Sequence, residues 1–201
     1  MTTVWHRYSL SLFPSLGLFI GYWDNVTNAQ LIHKRIVNRL LPSHTDAVCV
    51  FLDAANIFAP RHIEAAVNQA LLHLSSGSLI TNDFATEVIF CLSPTRSIKH
   101  ALATFGASSE TRRLLAAVIC TKTDSEEPPL PMFAQYLSEL EHLISGSPQD
   151  LVDLSRAREN VIKVYGITDD ELAIIDQSPL PDQAFLDSTL TRMSARELCR
   201  V

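Results

Sequence analysis

The chain has 201 residues, of which 47% are hydrophobic and 19% are charged, and its formal net charge at pH 7 is -6. This length can bury one substantial core or at most two small ones, and the composition is that of an ordinary soluble globular domain. The negative charge excludes bulk electrostatic attraction to nucleic acid, so such a role would need a local basic patch.

The apolar N-terminal segment, residues 10–23, does not fit a targeting signal. It lacks a strongly basic start, Pro14 interrupts it, and Asp24 and Asn25 follow where a cleavage site would need small residues. It is also shorter than the roughly 20 apolar residues that cross a bilayer. We therefore expect no targeting segment and no membrane association, and a location in the cytoplasm and nucleus.

Four strands are predicted from short apolar stretches. Alternation from Arg7 to Leu12 predicts a half-buried strand, whereas the nearly continuous apolar stretch Leu16–Tyr22 predicts a strand covered on both faces. Ala47–Leu52 and Leu114–Cys120 are two further candidates. Thr86–Leu92 fits either a helix or a strand and is left open.

Helices are predicted where apolar residues recur every three or four positions between capping residues. The first begins at Thr27 or Asn28 and runs to about Leu41, and the second begins at Pro60 and ends before Gly77. The second carries its apolar stripe on these residues: Ile63, Ala66, Val67, Ala70, Leu71 and Leu74.

A short helix with a basic start follows the break at Ser93-Pro94. Ser97 or Thr95 starts it, and Ile98, Ala101, Leu102 and Phe105 form its apolar face. Gly106 is expected to end it in a left-handed cap.

The C-terminal part predicts a loop over residues 124–131 and then a series of helices. These are a helix with a stripe over 132–144, a helix from Arg156 to Tyr165 closed by Gly166, and a helix opened by the capping box 168–171. Leu186, Leu190 and Met193 form a last helical stripe. The sequence therefore predicts one domain, residues 1–201, of mixed α/β (α+β) class, with a small central β-sheet surrounded by several α-helices.

The four cysteines, Cys49, Cys91, Cys120 and Cys199, do not have the pattern of a disulfide framework. Three lie in apolar stretches and none belongs to a C-x-x-C pair. This pattern indicates buried, reduced thiols.

The sequence shows no readable catalytic motif. Its six glycines form no phosphate-binding loop, and its seven histidines form no H-E-x-x-H motif. His62 and His73 share a helix but are too far apart for one metal ion. Asp53, at the end of an apolar strand, is the best enzymatic candidate. No base, nucleophile or second acid has a readable relation to it.

A series of short motifs, densest from Phe58 to Cys120, has a recognisable order and spacing. They are Leu12-Phe13-Pro14, Asn25-Val26-x-Asn28-Ala29, Phe58-Ala59-Pro60, Ala65-Ala66, Gln69-Ala70, residues 86–90, Leu92-Ser93-Pro94, the pattern of 98–106, and Val161-Ile162-Lys163-x-Tyr165. Together they resemble the small non-catalytic subunits of the KEOPS (EKC) complex, the PRPK-binding protein family.

The resemblance implies an adaptor rather than an enzyme, without metal or cofactor. Members of this family bind the atypical kinase/ATPase subunit of the complex on its N-terminal lobe, and they contact the single-stranded 3′ end of tRNA. The complete complex, which includes a threonylcarbamoyl-transferase subunit that this chain would meet only indirectly, adds threonylcarbamoyl to the adenosine beside the anticodon of ANN-decoding tRNAs.

The kinase interface is expected on two amphipathic helices that end close to glycine. We predict that the less buried apolar residues of these helices form or border the kinase contact. These residues are Ile98, Leu102, Phe105, Val161 and Tyr165. Burying a few such side chains can dominate an interface.

The tRNA contact is predicted at two basic helix starts, with Arg61 on one and Arg96 and Lys99 on the other. Free backbone N–H groups at a helix start also favour an anion. Known relatives carry basic residues after the glycine that ends the second helix, but here Gly77 is followed by residues 78–83 without positive charge. We therefore expect weak tRNA binding by the isolated chain.

Two other functions stay open at this stage. One is a small stand-alone enzyme with an active site near Asp53, and the other is a stand-alone RNA-binding domain, which the acidic charge opposes. Co-purification distinguishes the adaptor from the stand-alone enzyme, because an adaptor brings its kinase partner and an enzyme is active alone.

Overall fold

A β-sheet with helices on both faces organises the part of the chain that this computed structural model describes, residues 4–121 and 131–198. The neighbouring strands are antiparallel and lie in the order β1-β2-β4-β3, with β5 paired to the end of β2. Their bounds are β1 (Trp5–Ser9), β2 (Leu16–Asp24), β3 (Ala47–Asp53), β4 (Leu114–Thr121) and β5 (Ser147–Pro148). The predicted mixed α/β class is confirmed.

Eight α-helices lie in the described residues. They are α1 (Ala29–Val37), α2 (Pro60–Ser75), α3 (Phe84–Leu92), α4 (Ile98–Phe105), α5 (Pro131–Leu143), α6 (Arg158–Tyr165), α7 (Asp169–Asp176) and α8 (Pro181–Leu198). Short 3-10 helices occupy Ala54–Asn56 and Leu151–Ala157. The assignment of residues 1–201 to one domain stays a prediction.

The two central strands are buried on both faces, as predicted for Leu16–Tyr22. On β2, Leu18 and Ile20 enter one core while Phe19 and Trp23 enter the other. Helices α2, α3, α4, α6 and α8 contribute to the first core, and α1 and α5 cover the second. An apolar stretch without alternation therefore arises because each strand serves two cores.

The N-terminal elements are shorter than the sequence predicts. Strand β1 ends at Ser9, and Leu12 lies in the following turn with 62% exposure, because β1 must reverse to pair with β2. Helix α1 ends at Val37 rather than near Leu41, since Arg39 adopts a left-handed conformation with φ 55°. As a result Leu40 lies outside the helix and is exposed.

The middle of the chain follows the predicted caps with two corrections. Pro60 opens α2, Gly77 beyond its end has φ 66°, and Ser97 caps α4 by accepting from His100 N. The stripe prediction is wrong for Leu74, which is exposed. Gly106 is extended rather than left-handed, and it has to lack a side chain because a Cβ there would lie 2.6 Å from the Leu102 carbonyl oxygen.

The open assignment of Thr86–Leu92 is resolved as helix α3. Asp83 accepts a hydrogen bond from Thr86 N at 2.9 Å and caps this helix. The apolar character of the stretch reflects its position in the first core, where Val88 and Phe90 are buried. Burial on most sides removes the periodic polar positions that mark a surface helix.

The C-terminal elements largely agree with the predictions. Gly166 is left-handed with φ 63°, Thr168 accepts from Glu171 N, and α8 carries the last apolar stripe. The predicted helix from Arg156 begins at Arg158, because a 3-10 helix precedes it. The predicted loop 124–131 lies outside the described residues except for Pro131, which begins α5.

The three cysteines in the described residues, Cys49, Cys91 and Cys120, are reduced and form no disulfide, as predicted. Cys199 lies outside those residues. Among the helices that the structure describes, no segment combines the length and apolar character that a bilayer crossing requires.

Candidate partner-binding surfaces

The predicted interface on α4 and α6 is mostly core. Phe105 and Val161 are 0% exposed and Tyr165 is 5% exposed, so the prediction that these are less buried residues is wrong. Their side chains belong to the first core because the apolar faces of both short helices turn toward the sheet.

Tyr165 also carries a buried polar connection. Its hydroxyl donates to the Leu92 carbonyl oxygen and accepts from His62 Nε2 at 2.6 Å. Burial lowers the pKa of His62 from 6.5 to about 3, so the imidazole is neutral at physiological pH. This chain of bonds joins α2, α3 and α6 and gives Tyr165 a structural role.

Leu102 and Ile98 are the predicted interface residues that remain accessible. Ile98 is partly buried, and Leu102 is 42% exposed. Leu102 lines a groove of about 500 Å³ beside the outer edge of β3, which we call the β3-edge groove. Its other apolar lining residues include Ile36, Val48 and Ile89.

A second groove lies between α2 and α8 and has a volume of about 340 Å³. We call it the α2–α8 groove; its apolar lining consists of Leu12, Ala65, Leu72, Leu190 and Met193. Leu12 is 62% exposed and Leu72 is 48% exposed, so large apolar side chains from two separate segments meet at its mouth. Its polar members are Asn68, Gln69, His73 and Ser194.

The walls of this groove are held firmly in place. Arg192 of α8 donates to both carboxylate oxygens of Glu171, at 2.9 and 2.6 Å, and its Nε donates to the Tyr165 carbonyl oxygen. These bonds lower the pKa of Glu171 below its ordinary value. Phe185 packs on Phe58 with ring centroids 4.7 Å apart. The groove is therefore a preformed feature of the fold.

One wall of the groove leads to a polar cluster at the end of α2. His73 Nδ1 lies 2.6 Å from Glu87 Oε1 and 4.0 Å from Cys91 Sγ, and Glu87 is fully buried. Burial raises the pKa of Glu87, but hydrogen bonds from Thr81 and His73 outweigh it, so the net pKa lies below the ordinary value. The carboxylate is therefore ionised at neutral pH.

A profile of the family described as "Kinase binding protein CGI-121" matches residues 23–197, which include both walls of the α2–α8 groove and the β3-edge groove. The chain belongs to the CGI-121 kinase-binding family. The family resemblance inferred from the sequence motifs is thereby confirmed.

Named relatives agree with this assignment. The chain is 29% identical to the "EKC/KEOPS complex subunit CGI121" of Candida glabrata over 141 residues, which cover 69% of this chain and 74% of the relative. It is 27% identical over 154 residues to the protein of that name in Aspergillus fumigatus, with 76% of each chain covered. The Debaryomyces hansenii protein of the same name is 24% identical over 200 residues, or 95% of each chain.

The basic residues predicted for tRNA lie at the surface of this CGI-121 family member. Arg61, Arg96 and Lys99 are all exposed. Because Tyr165 bridges His62 at the start of α2 and Leu92 at the end of α3, the segments that carry Arg61 and Arg96 lie near one another.

Asp53, the enzymatic alternative, has a structural role. One of its carboxylate oxygens accepts from Ala55 N at 2.9 Å, and the other accepts from Thr111 Oγ1 at 3.0 Å. The carboxylate thus caps the 3-10 helix after β3 and fixes the segment before β4. Both of its oxygens are engaged in holding the fold together.

Sequence reasoning missed the α2–α8 groove and the cluster at His73. The alternation from Arg7 to Leu12 predicts a strand for Leu12, and Leu190 belongs to a predicted helical stripe, so nothing in the sequence marks either as part of a shared surface. The spacing of Glu87 and Cys91 would have placed both on one face of a helix. That signal is hidden because the apolar stretch Thr86–Leu92 fits a strand as well as a helix.

Proposed function

We propose that this chain is a non-catalytic subunit of an EKC/KEOPS complex and binds the kinase subunit of that complex. The family match over residues 23–197 is the observation that carries the proposal. Relatives from several yeasts and moulds bear the name of a subunit of this complex, which supports the same assignment. The structural use of Asp53 agrees with an adaptor.

We place the kinase contact at the α2–α8 groove rather than on the buried faces of α4 and α6. The groove offers the apolar side chains of Leu12, Leu72 and Leu190. None of the described residues that line it is an aspartate, glutamate, lysine or arginine. Asn68 Oδ1 is buried beside it with no hydrogen-bond partner in the residues that the structure describes, so a donor from the partner can satisfy it. Preformed walls reduce the ordering cost of association.

Pull-down of the kinase subunit by the full chain tests this placement. In Leu190→Glu a charge enters an apolar contact, and we expect the dissociation constant to rise at least about tenfold because burying one such side chain is worth roughly 1.5–3 kcal/mol. Leu102→Glu, in the β3-edge groove, is the matched control and should bind like wild type. Circular dichroism establishes that both variants remain folded.

The opposite pattern identifies a different surface. If Leu102→Glu loses the kinase and Leu190→Glu retains it, the contact lies at the β3-edge groove. If the wild-type chain brings down no kinase subunit at all, the adaptor function itself is wrong.

We further propose that the chain helps the assembled complex recruit tRNA for threonylcarbamoyladenosine modification. The exposed Arg61, Arg96 and Lys99 at two helix starts support this role. The net charge of -6 and the absence of basic residues at 78–83 make binding by the chain alone weak. The kinase and transferase subunits therefore supply much of the tRNA affinity.

The salt dependence of tRNA binding by the whole complex tests this role. Each phosphate neutralised on a single strand adds about 0.7 to the slope of log affinity against log salt, so Arg61→Glu with Arg96→Glu should flatten the slope by about 1.4. Lys34→Glu with Arg39→Glu makes the same charge change on exposed residues of α1 and its end. If both double variants bind and modify tRNA equally well, Arg61 and Arg96 make no contact. Kinase pull-down should be unchanged in both.

A further inference from the structure

Three potential metal ligands meet where α2 ends against α3. A ring nitrogen of His73, a carboxylate oxygen of Glu87 and Cys91 Sγ all lie within 4.8 Å of one another. Glu87 and Cys91 are separated by one turn of α3 and share a helix face, while His73 approaches from the last turn of α2. Imidazole nitrogen, carboxylate oxygen and thiolate sulfur are the three ligand types that zinc accepts in proteins.

The fold fixes the orientation of the Glu87 carboxylate. Its Oε2 accepts from Ile80 N at 3.1 Å, from Thr81 N at 2.8 Å and from Thr81 Oγ1 at 2.7 Å. Three donors hold this one oxygen, so the other, Oε1, is directed to His73. Hydrogen bonds of this kind, made by the atoms behind a ligand, are what orient carboxylates in metal sites.

The spacing requires only small adjustments for a tetrahedral ion. With ordinary zinc–ligand distances, nitrogen and oxygen ligands lie about 3.4 Å apart and nitrogen and sulfur ligands about 3.6 Å apart. His73 and Glu87 would separate from 2.6 Å, and His73 and Cys91 would close from 4.0 Å. Each movement is below about 1 Å, which side-chain rotation supplies.

An ion can also reach these atoms. The His73 side chain is 13% exposed and lines the α2–α8 groove, whereas Glu87 is fully buried behind it. A water molecule from the groove can take a fourth position, as in zinc sites with three protein ligands.

We propose that His73, Glu87 and Cys91 form a zinc-binding site. Binding displaces the proton of the Cys91 thiol to solvent, and the proton on His73 Nδ1 moves to Nε2 so that the Nδ1 lone pair binds the ion. No oxidant or reductant takes part. The ion ties the end of α2 to α3 and, through Glu87, to residues 80 and 81.

Cobalt(II) is the probe that tests the site, because a thiolate ligand gives a charge-transfer absorption band and tetrahedral geometry gives strong visible bands. The full-length chain is stripped with a chelator, reduced and titrated with cobalt and then with zinc. We expect one equivalent of cobalt with both bands, their loss as zinc replaces it, and a melting temperature that rises by roughly 5–10 °C at a hundredfold excess of zinc over its dissociation constant.

Variants assign the bands to this cluster. Cys91→Ala should abolish the charge-transfer band, and Glu87→Gln should weaken cobalt binding at least about tenfold. Cys49→Ala and Cys120→Ala are matched controls and should keep the band. His73→Gln, at the exposed side of the cluster, should also abolish tight binding and covers the case in which a core variant fails to fold.

Two results overturn the proposal. One is a wild-type chain that binds cobalt without a thiolate band, and the other is a band that persists in His73→Gln or Cys91→Ala. The experiment needs no kinase subunit, so its failure leaves the adaptor function untouched.

Discussion

The faces of α4 and α6 and the α2–α8 groove carry the same kinds of apolar side chain, but on the two helices most of them are buried, whereas the groove leaves large ones open to a partner. Phe105 and Val161 are 0% exposed, whereas Leu12 is 62% and Leu72 is 48% exposed. Helical periodicity therefore identifies an apolar face that must be covered, but it does not show what covers that face. On α4 and α6 the chain covers its own apolar face, and at the groove we assign that role to the kinase subunit.

If the faces of α4 and α6 belong to the core, a substitution at Phe105 should strongly destabilise the fold. Phe105→Ala removes a ring from the first core and should lower the free energy of unfolding by about 3–5 kcal/mol. Denaturant unfolding measures the loss, and kinase affinity of the folded fraction should stay as in wild type. Leu72→Ala, in the α2–α8 groove, should show the opposite pattern, with little loss of stability and weaker kinase binding. A stable Phe105→Ala variant with weakened kinase binding would support the kinase contact on α4 and α6 that the sequence predicts.

The pH dependence of stability is the next test, and it concerns His62. The pKa of His62 is about 3 in the folded chain and near 6.5 in the unfolded chain. Between these pH values the unfolded chain binds a proton at His62 and the folded chain does not. This contribution is fully present above pH 6.5 and is lost as the pH falls toward 3, by up to about 1.4 kcal/mol per pH unit. His62→Gln should flatten the slope between pH 6 and 5, before carboxylates titrate.

Equal slopes for wild type and His62→Gln in urea unfolding at these two pH values would contradict the sealed position of His62. They would mean that the imidazole reaches water in the native state. The core beneath α4 and α6 would then be accessible to water in the native state.

The smallest effect is expected at Leu102, one turn before Phe105 on α4. Leu102 is 42% exposed, so Leu102→Ala should change the free energy of unfolding by no more than about 0.5 kcal/mol. Kinase affinity should change by a similarly small amount. A tenfold loss of kinase binding with unchanged stability would instead place the kinase contact at the β3-edge groove.

Much of the fold could be predicted from local signals. Strands β2, β3 and β4 were found because they are continuous apolar stretches, and Pro60 and Gly166 mark helix ends for backbone reasons that hold anywhere. The prediction for α1 is too long, because the end of this helix depends on the left-handed conformation of Arg39. Nothing about an arginine side chain indicates that conformation in the sequence.

The candidate sites were predicted less well, because they depend on tertiary arrangement. Leu102 and Phe105 belong to one stripe of α4, and only the packing of α4 on the sheet separates the exposed residue from the buried one. The α2–α8 groove joins Leu12 to Leu190, which are far apart in sequence. His73 meets Glu87 and Cys91 only because α2 and α3 pack side by side.

The order of the sheet has a consequence for how the chain is made. Among the strands that the structure describes, β4, residues 114–121, is synthesised after β1, β2 and β3, yet it pairs with both β2 and β3 and joins β3 to the sheet. A nascent chain shorter than this exposes two apolar strand edges on the ribosome, and such edges are prone to aggregate. Pairing of β3 within the sheet therefore waits until more than half of the chain has been translated, and a chaperone that covers these edges would act in that interval.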